Sequence, residues 1–119
     1  MNRPRDVVER YFRCMQAGPG AAEDLFALFA DDAVYTEPFT GTSRTHQGRA
    51  AIERTLRDSW QQTPPDLVLT VDRVDVDGDT VTSLWTCTSP VFPGPMRGRD
   101  VCVVRDGRIA SLEVCFLPS

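Results

Sequence analysis

The chain has 119 residues, of which 41% are hydrophobic and 25% charged, and its formal net charge is −4 at pH 7. This length fits a single domain over residues 1–119, and no run of about 18 apolar residues is present that would cross a membrane. The acidic balance argues against nucleic-acid binding, which requires a basic face. The charged start MNRPRDVVERYF lacks the apolar stretch of a signal peptide, so we expect a cytoplasmic protein.

Three helices are predicted in the first half of the chain. From Arg5 to Ala17, apolar side chains recur at helical spacing with charged side chains opposite, and Gly18-Pro19-Gly20 ends the pattern. Ala22 to Ala30 and Arg49 to Gln61 carry shorter apolar stripes. A short strand at Ala33 to Glu37 and a polar loop over residues 38–48 separate the second helix from the third.

Strands dominate the second half. Asp77-Gly78 and Asp106-Gly107 are typical of tight hairpin turns. They join β-branched, apolar segments that we predict as four antiparallel strands, at Leu67–Val76, Thr80–Ser89, Gly98–Val104 and Ile109–Leu117. The order of elements predicts an α+β fold, with three N-terminal helices packed on a curved, mostly antiparallel sheet. We expect this arrangement to form a cone with an apolar pocket at its open end.

The cysteines do not indicate a metal site. None of the four (Cys14, Cys87, Cys102 and Cys115) forms a C-x-x-C pair, and the chain has a single histidine, His46. Zinc-binding sequences typically carry closely spaced cysteine pairs or several histidines, which this pattern lacks. We expect free thiols that pack as small apolar groups, with no metal and no cofactor.

Several segments together resemble a known superfamily. The segments RYFRCMQAG, DLFALFADDAVYTEPFTG, HQGRAAIERTL and DGRIASLE make the chain similar to the nuclear transport factor 2-like superfamily, and within it to ketosteroid isomerases and SnoaL-like polyketide cyclases. The resemblance covers nearly the whole chain. It implies the cone fold but leaves the activity open, because this fold hosts several enzyme classes and non-catalytic binders.

The isomerase resemblance implies three catalytic residues. Its helix-1 tyrosine falls on Tyr11, its carboxylate before a proline on Glu37, and its strand acid on Asp100 if one residue is deleted from the preceding turn. Glu37 would then move a proton between two carbons, while Tyr11 and neutral Asp100 donate hydrogen bonds to the developing oxyanion. The family pattern has aspartate where this chain has Glu37, which moves the carboxylate by one methylene.

Each of these residues also has a simpler interpretation. Tyr11 lies on the apolar stripe of its helix and fits an ordinary core aromatic. Glu37 fits a solvated acid at a strand end or a structural ion pair. Asp100 alternates with Cys102, but the intervening valines are apolar too, so the pattern leaves open which face is inside. An exposed Asp100 would pair with a neighbouring arginine: Arg97, Arg99 or Arg105.

A wider set of residues is predicted to line the pocket, because they are apolar, aromatic or close to the three candidate groups: Phe12, Met15, Phe39, His46, Trp60, Trp85 and Cys102. His46 fits either a loop contact or an acid or base at the pocket rim. The resemblance supplies no role for His46 or Arg44. A His46–Glu37 pair would be chemically attractive, but spacing alone does not establish it.

The resemblance, together with the residues that match it, implies a cofactor-independent isomerase or cyclase. It would transfer a proton alpha to a carbonyl of an apolar, steroid-like or polyketide-like molecule. The alternative is a non-catalytic domain that binds a small ligand or serves for dimerisation. The spacing of Arg97 and Asp100 places them on opposite faces, which argues against an epoxide hydrolase. Apolar positions on both faces of the strands predict a homodimer.

Overall fold

The computed structural model describes residues 3–118. Its helices are α1 (Pro4–Ala17), α2 (Ala22–Ala27) and α3 (Arg49–Trp60), and a 3-10 turn at Gly18–Ala21 precedes α2. The strands are β1 (Phe29–Glu37), β2 (Arg44–Gln47), β3 (Val68–Asp77), β4 (Thr80–Thr88), β5 (Met96–Arg105) and β6 (Arg108–Phe116). Within residues 3–118, no helix is long and apolar enough to cross a bilayer.

The α+β class is confirmed, but the expectation of three N-terminal helices holds only in part. Two helices are long, α1 with 14 residues and α3 with 12, whereas α2 has six residues. The predicted second helix continued to Ala30, yet Phe29 already pairs with Ile109 in the sheet. The Ile109 amide also donates to the Leu28 carbonyl at 2.7 Å. These contacts between distant segments end the helix early, and α3 follows two strands.

The six strands form one open sheet in the order β2-β1-β6-β5-β4-β3. Neighbours are antiparallel except β1 and β6, which are parallel. Register shifts in the pairings of β1 with β6, β3 with β4 and β5 with β6 mark irregularities of the kind that bend a strand and increase its twist. Helix α1 packs across β3, β4 and β5, and α3 packs across β1 and β2, so both long helices cover one face of the sheet.

The prediction of a loop over residues 38–48 is only partly correct. The last part of this segment forms β2, which pairs with β1 so that Arg44 lies opposite Glu37 and His46 lies opposite Tyr35. The hydroxyls of Thr36 and Thr45 lie 3.2 Å apart across the same pair. The local sequence is polar and lacks strand alternation, so this strand depends on a partner that local pattern does not reveal.

Both predicted hairpins are confirmed. Asp77 pairs with Thr80 and Arg105 with Arg108, which leaves two residues in each connection. Asp106 and Gly107 have φ angles of 54° and 76°. Positive φ at both central positions is the type I′ turn, whose twist matches that of the flanking strands.

Alternation along the strands determines which side chains face the helices. In β5 the buried positions are Gly98, Asp100, Cys102 and Val104. In β4 they are Val81, Ser83 and Trp85. Asp100 therefore lies on the face covered by α1, which answers the question that the apolar valines left open.

Gly98 makes room for Trp85, its partner on β4. A Cβ at residue 98 would lie 2.0 Å from Cζ2 of the Trp85 ring. The indole therefore lies directly over the glycine backbone, and this position holds its nitrogen toward Asp100.

We predict that Gly98→Ala destabilises the fold by about 1–3 kcal/mol or more, because the added methyl group must displace a packed indole. Urea denaturation measures the loss. Gly94→Ala is the matched control, since a Cβ there meets nothing within 4 Å, and it should change stability by less than about 0.5 kcal/mol. Equal effects of the two substitutions would contradict the packing described here.

Candidate functional site

The two candidate carboxyl groups lie in one row across the inner face of the sheet. Ser83 pairs with Asp100, and Asp100 pairs with Val114. Because Glu113 pairs with Thr36, the next position aligns Val114 with Glu37. Asp100 and Glu37 are thus two strands apart, and their backbones are separated by roughly 10 Å.

Asp100 is a buried acid with a shifted titration. Its side chain is 4% exposed, and Nε1 of Trp85 donates a 2.8 Å hydrogen bond to its Oδ1. Burial raises the pKa of Asp100 to about 7, although the bond from Trp85 acts in the opposite direction. Near neutral pH a large share of the molecules therefore carry a neutral carboxyl group, which can donate a hydrogen bond.

Two phenols lie close to this acid. Burial raises the pKa of Tyr11 well above its ordinary value, and the nearby Asp100 charge raises it further. Burial likewise raises the pKa of Tyr35, with added contributions from Asp100 and Glu37. Both hydroxyls stay protonated at physiological pH. Tyr11 also packs edge-on against Phe12 and Phe29, at ring distances of 5.1 and 6.2 Å.

Glu37 is buried too, but its surroundings favour the charged form. It is 1% exposed. Its Oε1 accepts from the Phe39 amide at 2.9 Å, its Oε2 accepts from Nε of Arg44 at 3.0 Å, and Nη2 of Arg44 forms an ion pair with Oε2 at 2.8 Å. Burial alone would raise the pKa of Glu37, but the bonds from His46, the Phe39 amide and Arg44 lower it below its ordinary value. Glu37 is therefore an enclosed ion-paired carboxylate, and the interpretation as a solvated acid is wrong.

His46 completes this network. Its Nε2 lies 2.8 Å from Oε2 of Glu37, and its Nδ1 lies 3.0 Å from the hydroxyl oxygen of Thr55. The side chain is 16% exposed. The His46–Glu37 pair that the sequence left open is thus present, and it connects β1 and β2 with α3. Since both ring nitrogens have partners, the orientation of the imidazole is fixed.

The remaining predicted pocket residues fall into two groups. Trp85 and Cys102 flank Asp100, and Phe12 lies beside Tyr11. Burial raises the pKa of Cys102 to about 12, so its thiol is unreactive. By contrast, Trp60 packs on Phe26 with ring centres 5.9 Å apart, and Met15 is only half-buried against the core.

Phe39 is 52% exposed and belongs to an aromatic chain at the surface. Its ring makes an edge contact with Phe116 at 5.5 Å, and Phe116 in turn contacts Trp85 at 6.5 Å. These three aromatic rings thus connect the exposed surface with the buried indole that donates a hydrogen bond to Asp100.

Neither of two clefts on the surface of residues 3–118 is lined by Tyr11, Glu37 or Asp100. The larger, about 600 Å³, lies between α1, α2 and the β5–β6 turn, and Arg10, Arg13 and Arg108 are among its lining residues. The smaller, about 200 Å³, lies between α1 and β3 and includes Phe12. The enclosed pocket therefore remains a prediction.

Sequence reasoning gave no role to Arg44 and did not consider three other polar residues of this region, Thr55, Tyr35 and Ser83, as parts of the site. Two had a usable signal, because Tyr35 is two residues from Glu37 and Ser83 is two residues from Trp85, which places each on the same strand face. Arg44 and Thr55 had none. They reach Glu37 and His46 only through the β1–β2 pairing and the packing of α3.

Comparison with protein families gives one match over most of the chain. The family model described as "SnoaL-like domain" matches residues 8–112. No curated protein matches the sequence.

Solved structures with the same fold are numerous. A candidate ketosteroid isomerase from Kribbella flavida DSM 17836 is 27% identical, with a TM-score of 0.78 over 98% of this chain and 78% of its own. A candidate polyketide cyclase from Sinorhizobium meliloti is 28% identical, with a TM-score of 0.78 over 96% of this chain and 100% of its own. An NTF-2 like protein of unknown function from Burkholderia xenovorans LB400 is 17% identical, with a TM-score of 0.75 over 98% of this chain and 84% of its own. At this identity the similarity supports the fold alone.

The raised pKa of Asp100 predicts a characteristic dependence of stability on pH. The unfolded chain releases this proton near pH 3.8, whereas the folded protein holds it until about pH 7. Over that interval the folded state binds more protons, so the free energy of unfolding falls as pH rises, with a slope approaching 1.4 kcal/mol per pH unit. Asp100→Asn should remove this fall.

Denaturation of both proteins between about pH 5 and 7 measures the difference. In this range the lowered pKa of Glu37 has little influence, because its stabilising contribution is lost only as pH falls through its folded-state value, below 4.5. Parallel stability curves for the wild type and Asp100→Asn would show that Asp100 titrates normally.

Proposed function

This chain belongs to the family of SnoaL-like domains, and on that premise we propose that it is a cofactor-independent enzyme that transfers a proton alpha to a carbonyl group. One observation carries the proposal. On one enclosed face of the sheet, a carboxyl group with a raised pKa and a carboxylate with a lowered pKa lie two strands apart. Proton transfer at carbon needs such a pair, one group to stabilise the oxyanion and one to accept the proton.

Asp100 and Tyr11 are the proposed oxyanion donors. The Asp100 charge influences the phenol of Tyr11, which indicates that the two groups are close. A neutral carboxyl and a phenol held in an apolar enclosure donate strongly, because little water competes with them. Each such donor typically contributes about 2.7–4 kcal/mol of transition-state stabilisation. Tyr35 is the proposed third donor, because the charges of both Asp100 and Glu37 raise the pKa of its phenol.

Glu37 is the proposed base. Its Oε1 accepts one hydrogen bond, from the Phe39 amide, which leaves a second acceptor position on that oxygen. Arg44 and His46 hold the carboxylate ionised but also make it a weaker base. A weak base suits a substrate whose carbon acid is itself acidified, such as a carbon between two carbonyl groups. This requirement favours a polyketide-like substrate over a simple ketone.

The surroundings of the row favour an apolar ligand body. Side chains such as Val114, Cys102 and Trp85 share the inner face with the two acids. The similarity to a candidate ketosteroid isomerase and a candidate polyketide cyclase supports this choice. Phe39 and Phe116 are exposed enough to move aside, and we propose that the ligand enters between them.

The second candidate function is ligand binding without turnover. The network around Glu37 favours it, because a carboxylate that is already bonded to Arg44 and His46 also makes sense as a structural tie between β1, β2 and α3. The two candidates make different predictions for a variant that keeps the shape of Glu37 but removes its charge.

We predict that Glu37→Gln lowers the turnover of an added β,γ-unsaturated cyclic ketone by at least about 100-fold, because the amide cannot accept the proton. The absorbance of the conjugated product measures the rate. Glu113→Gln is the matched control, since Glu113 is exposed on the neighbouring strand β6, and it should keep full activity. Thermal melting of each variant checks that the fold persists, because loss of the charge leaves Arg44 and His46 with a weaker partner.

Unchanged turnover in Glu37→Gln ends the assignment of this residue as the base. A wild-type protein that binds the ketone or a phenol analogue but never converts it identifies the binding function instead. Either result leaves the description of the fold intact.

We also propose a homodimer formed through the outer face of the sheet. Leu84, Val101 and Val103 point away from the helices and are only half-buried in the single chain. Apolar side chains at the centre of an open sheet are typical of a covered face.

We predict that the wild type sediments as a dimer at micromolar concentration and that the double substitution Val101→Lys and Val103→Lys produces a monomer, because two buried charges per subunit would oppose association. Analytical ultracentrifugation distinguishes the states. Val76→Lys on the edge strand β3 is the control and should stay dimeric. A wild-type monomer contradicts the proposal.

A further inference from the structure

The hydroxyl of Ser83 is an anomaly of the interior. Ser83 is 0% exposed, and among residues 3–118 its Oγ is the one fully buried side-chain nitrogen or oxygen without a hydrogen-bond partner. A buried hydroxyl without a partner loses its bonds to water and gains nothing in return. Alanine would fit the same space without this cost, so the hydroxyl calls for a partner from outside the chain.

Ser83 is also placed beside the candidate chemistry. It faces the helices from β4, directly opposite Asp100 on β5. Side chains at directly opposed positions have Cβ atoms roughly 5 Å apart. Asp100 nevertheless bonds to Trp85 through Oδ1 rather than to the serine. Two polar groups therefore lie side by side on one buried face without satisfying each other.

The order of the groups across the sheet determines how a substrate would lie relative to Ser83 and Asp100. Ser83 lies on one side of Asp100, and Val114 followed by Glu37 lies on the other. If the carbonyl oxygen of a substrate binds at Asp100 and Tyr11, then its reacting carbon points toward Glu37. A second oxygen at Ser83 would sit on the opposite side of that carbonyl, roughly 5 Å from the first oxygen.

We propose that Ser83 and Asp100 bind two oxygen atoms of the same molecule, so that the substrate is a dioxygenated compound with its oxygens in a 1,3 relationship on a ring or chain. This inference rests on the proposed function for the position of the first carbonyl. A serine hydroxyl both donates and accepts, so the second oxygen belongs to either a hydroxyl or a carbonyl group. A molecule with a single oxygen leaves Ser83 unpaired, which makes Ser83 a specificity-determining residue.

Binding of matched phenols tests the inference without requiring turnover. The probes are 1-naphthol, 1,3-dihydroxynaphthalene and 1,6-dihydroxynaphthalene, which share one ring system and one first hydroxyl. Calorimetry should show that wild type prefers the 1,3-diol over 1-naphthol by about three- to tenfold, the gain expected from one hydrogen bond. The 1,6-diol should show no such gain, because its second hydroxyl points elsewhere.

Variants at residue 83 assign the gain. Ser83→Ala and Ser83→Cys should both abolish the preference for the 1,3-diol while binding 1-naphthol as wild type does. The cysteine variant keeps nearly the same volume and so separates hydrogen bonding from packing. Thr82→Ala is the control on the opposite face of β4 and should keep the preference.

The melting temperature of Ser83→Ala is a second test, because a purely structural role for Ser83 predicts the opposite change. Ser83→Ala should melt at the same temperature as wild type or higher, because it removes a buried group that has no partner in the free protein. The inference is overturned if Ser83→Ala melts lower, if it keeps the preference, if wild type shows no preference, or if wild type binds none of the three probes. Loss of turnover in Glu37→Gln is decided separately, so failure of the catalytic proposal is distinguishable from failure of this one.

Discussion

The site depends on burying two carboxyl groups on one face of a sheet while giving them opposite surroundings. Asp100 receives one hydrogen bond, from an indole, and desolvation therefore controls its titration. Glu37 receives hydrogen bonds from the Phe39 amide, Arg44 Nε and His46 and an ion-pair contact from Arg44 Nη2, and these outweigh the desolvation that would raise its pKa. The two acids therefore differ in the number and charge of their donors, although neither is more than 4% exposed.

Each acid is positioned by residues of neighbouring strands and helices as well as by its own strand. Gly98 lets the indole of Trp85 lie across β5, which aims its nitrogen at Asp100. Strand β2 places Arg44 and His46 next to Glu37. The hydroxyl of Thr55 in α3 contacts Nδ1 of His46 and so fixes the orientation of the imidazole. The short strand that looks least important to the sheet is thus the one that keeps Glu37 charged.

The sequence predicted the parts of this arrangement that local pattern determines. Helical periodicity located α1 and α3, and the Asp-Gly dipeptides located both hairpins, because those signals are contained within a few residues. Strand β2 is not predicted, because its residues are polar and pair with β1 only across a turn. The predicted second helix is longer than α2, because Phe29 pairs with Ile109 of β6 instead of continuing the helix. The family resemblance pointed to Tyr11, Glu37 and Asp100, but the inner face of β5 required coordinates, because apolar residues occupy both parities. Ser83 escaped notice because a serine between Val81 and Trp85 on one strand face resembles an ordinary strand residue until its lack of a partner is visible.

The central claim is that the two carboxyl groups are held in opposite protonation states, and direct titration of the side-chain carboxyl carbons by NMR tests it. In wild type labelled with ¹³C, with Asp100→Asn and Glu37→Gln used to assign the two signals, Asp100 should titrate near pH 7 and Glu37 below its ordinary value of 4.5. If both signals titrate at ordinary acidic values, the row contains no neutral donor, and the account given for this face of the protein is contradicted.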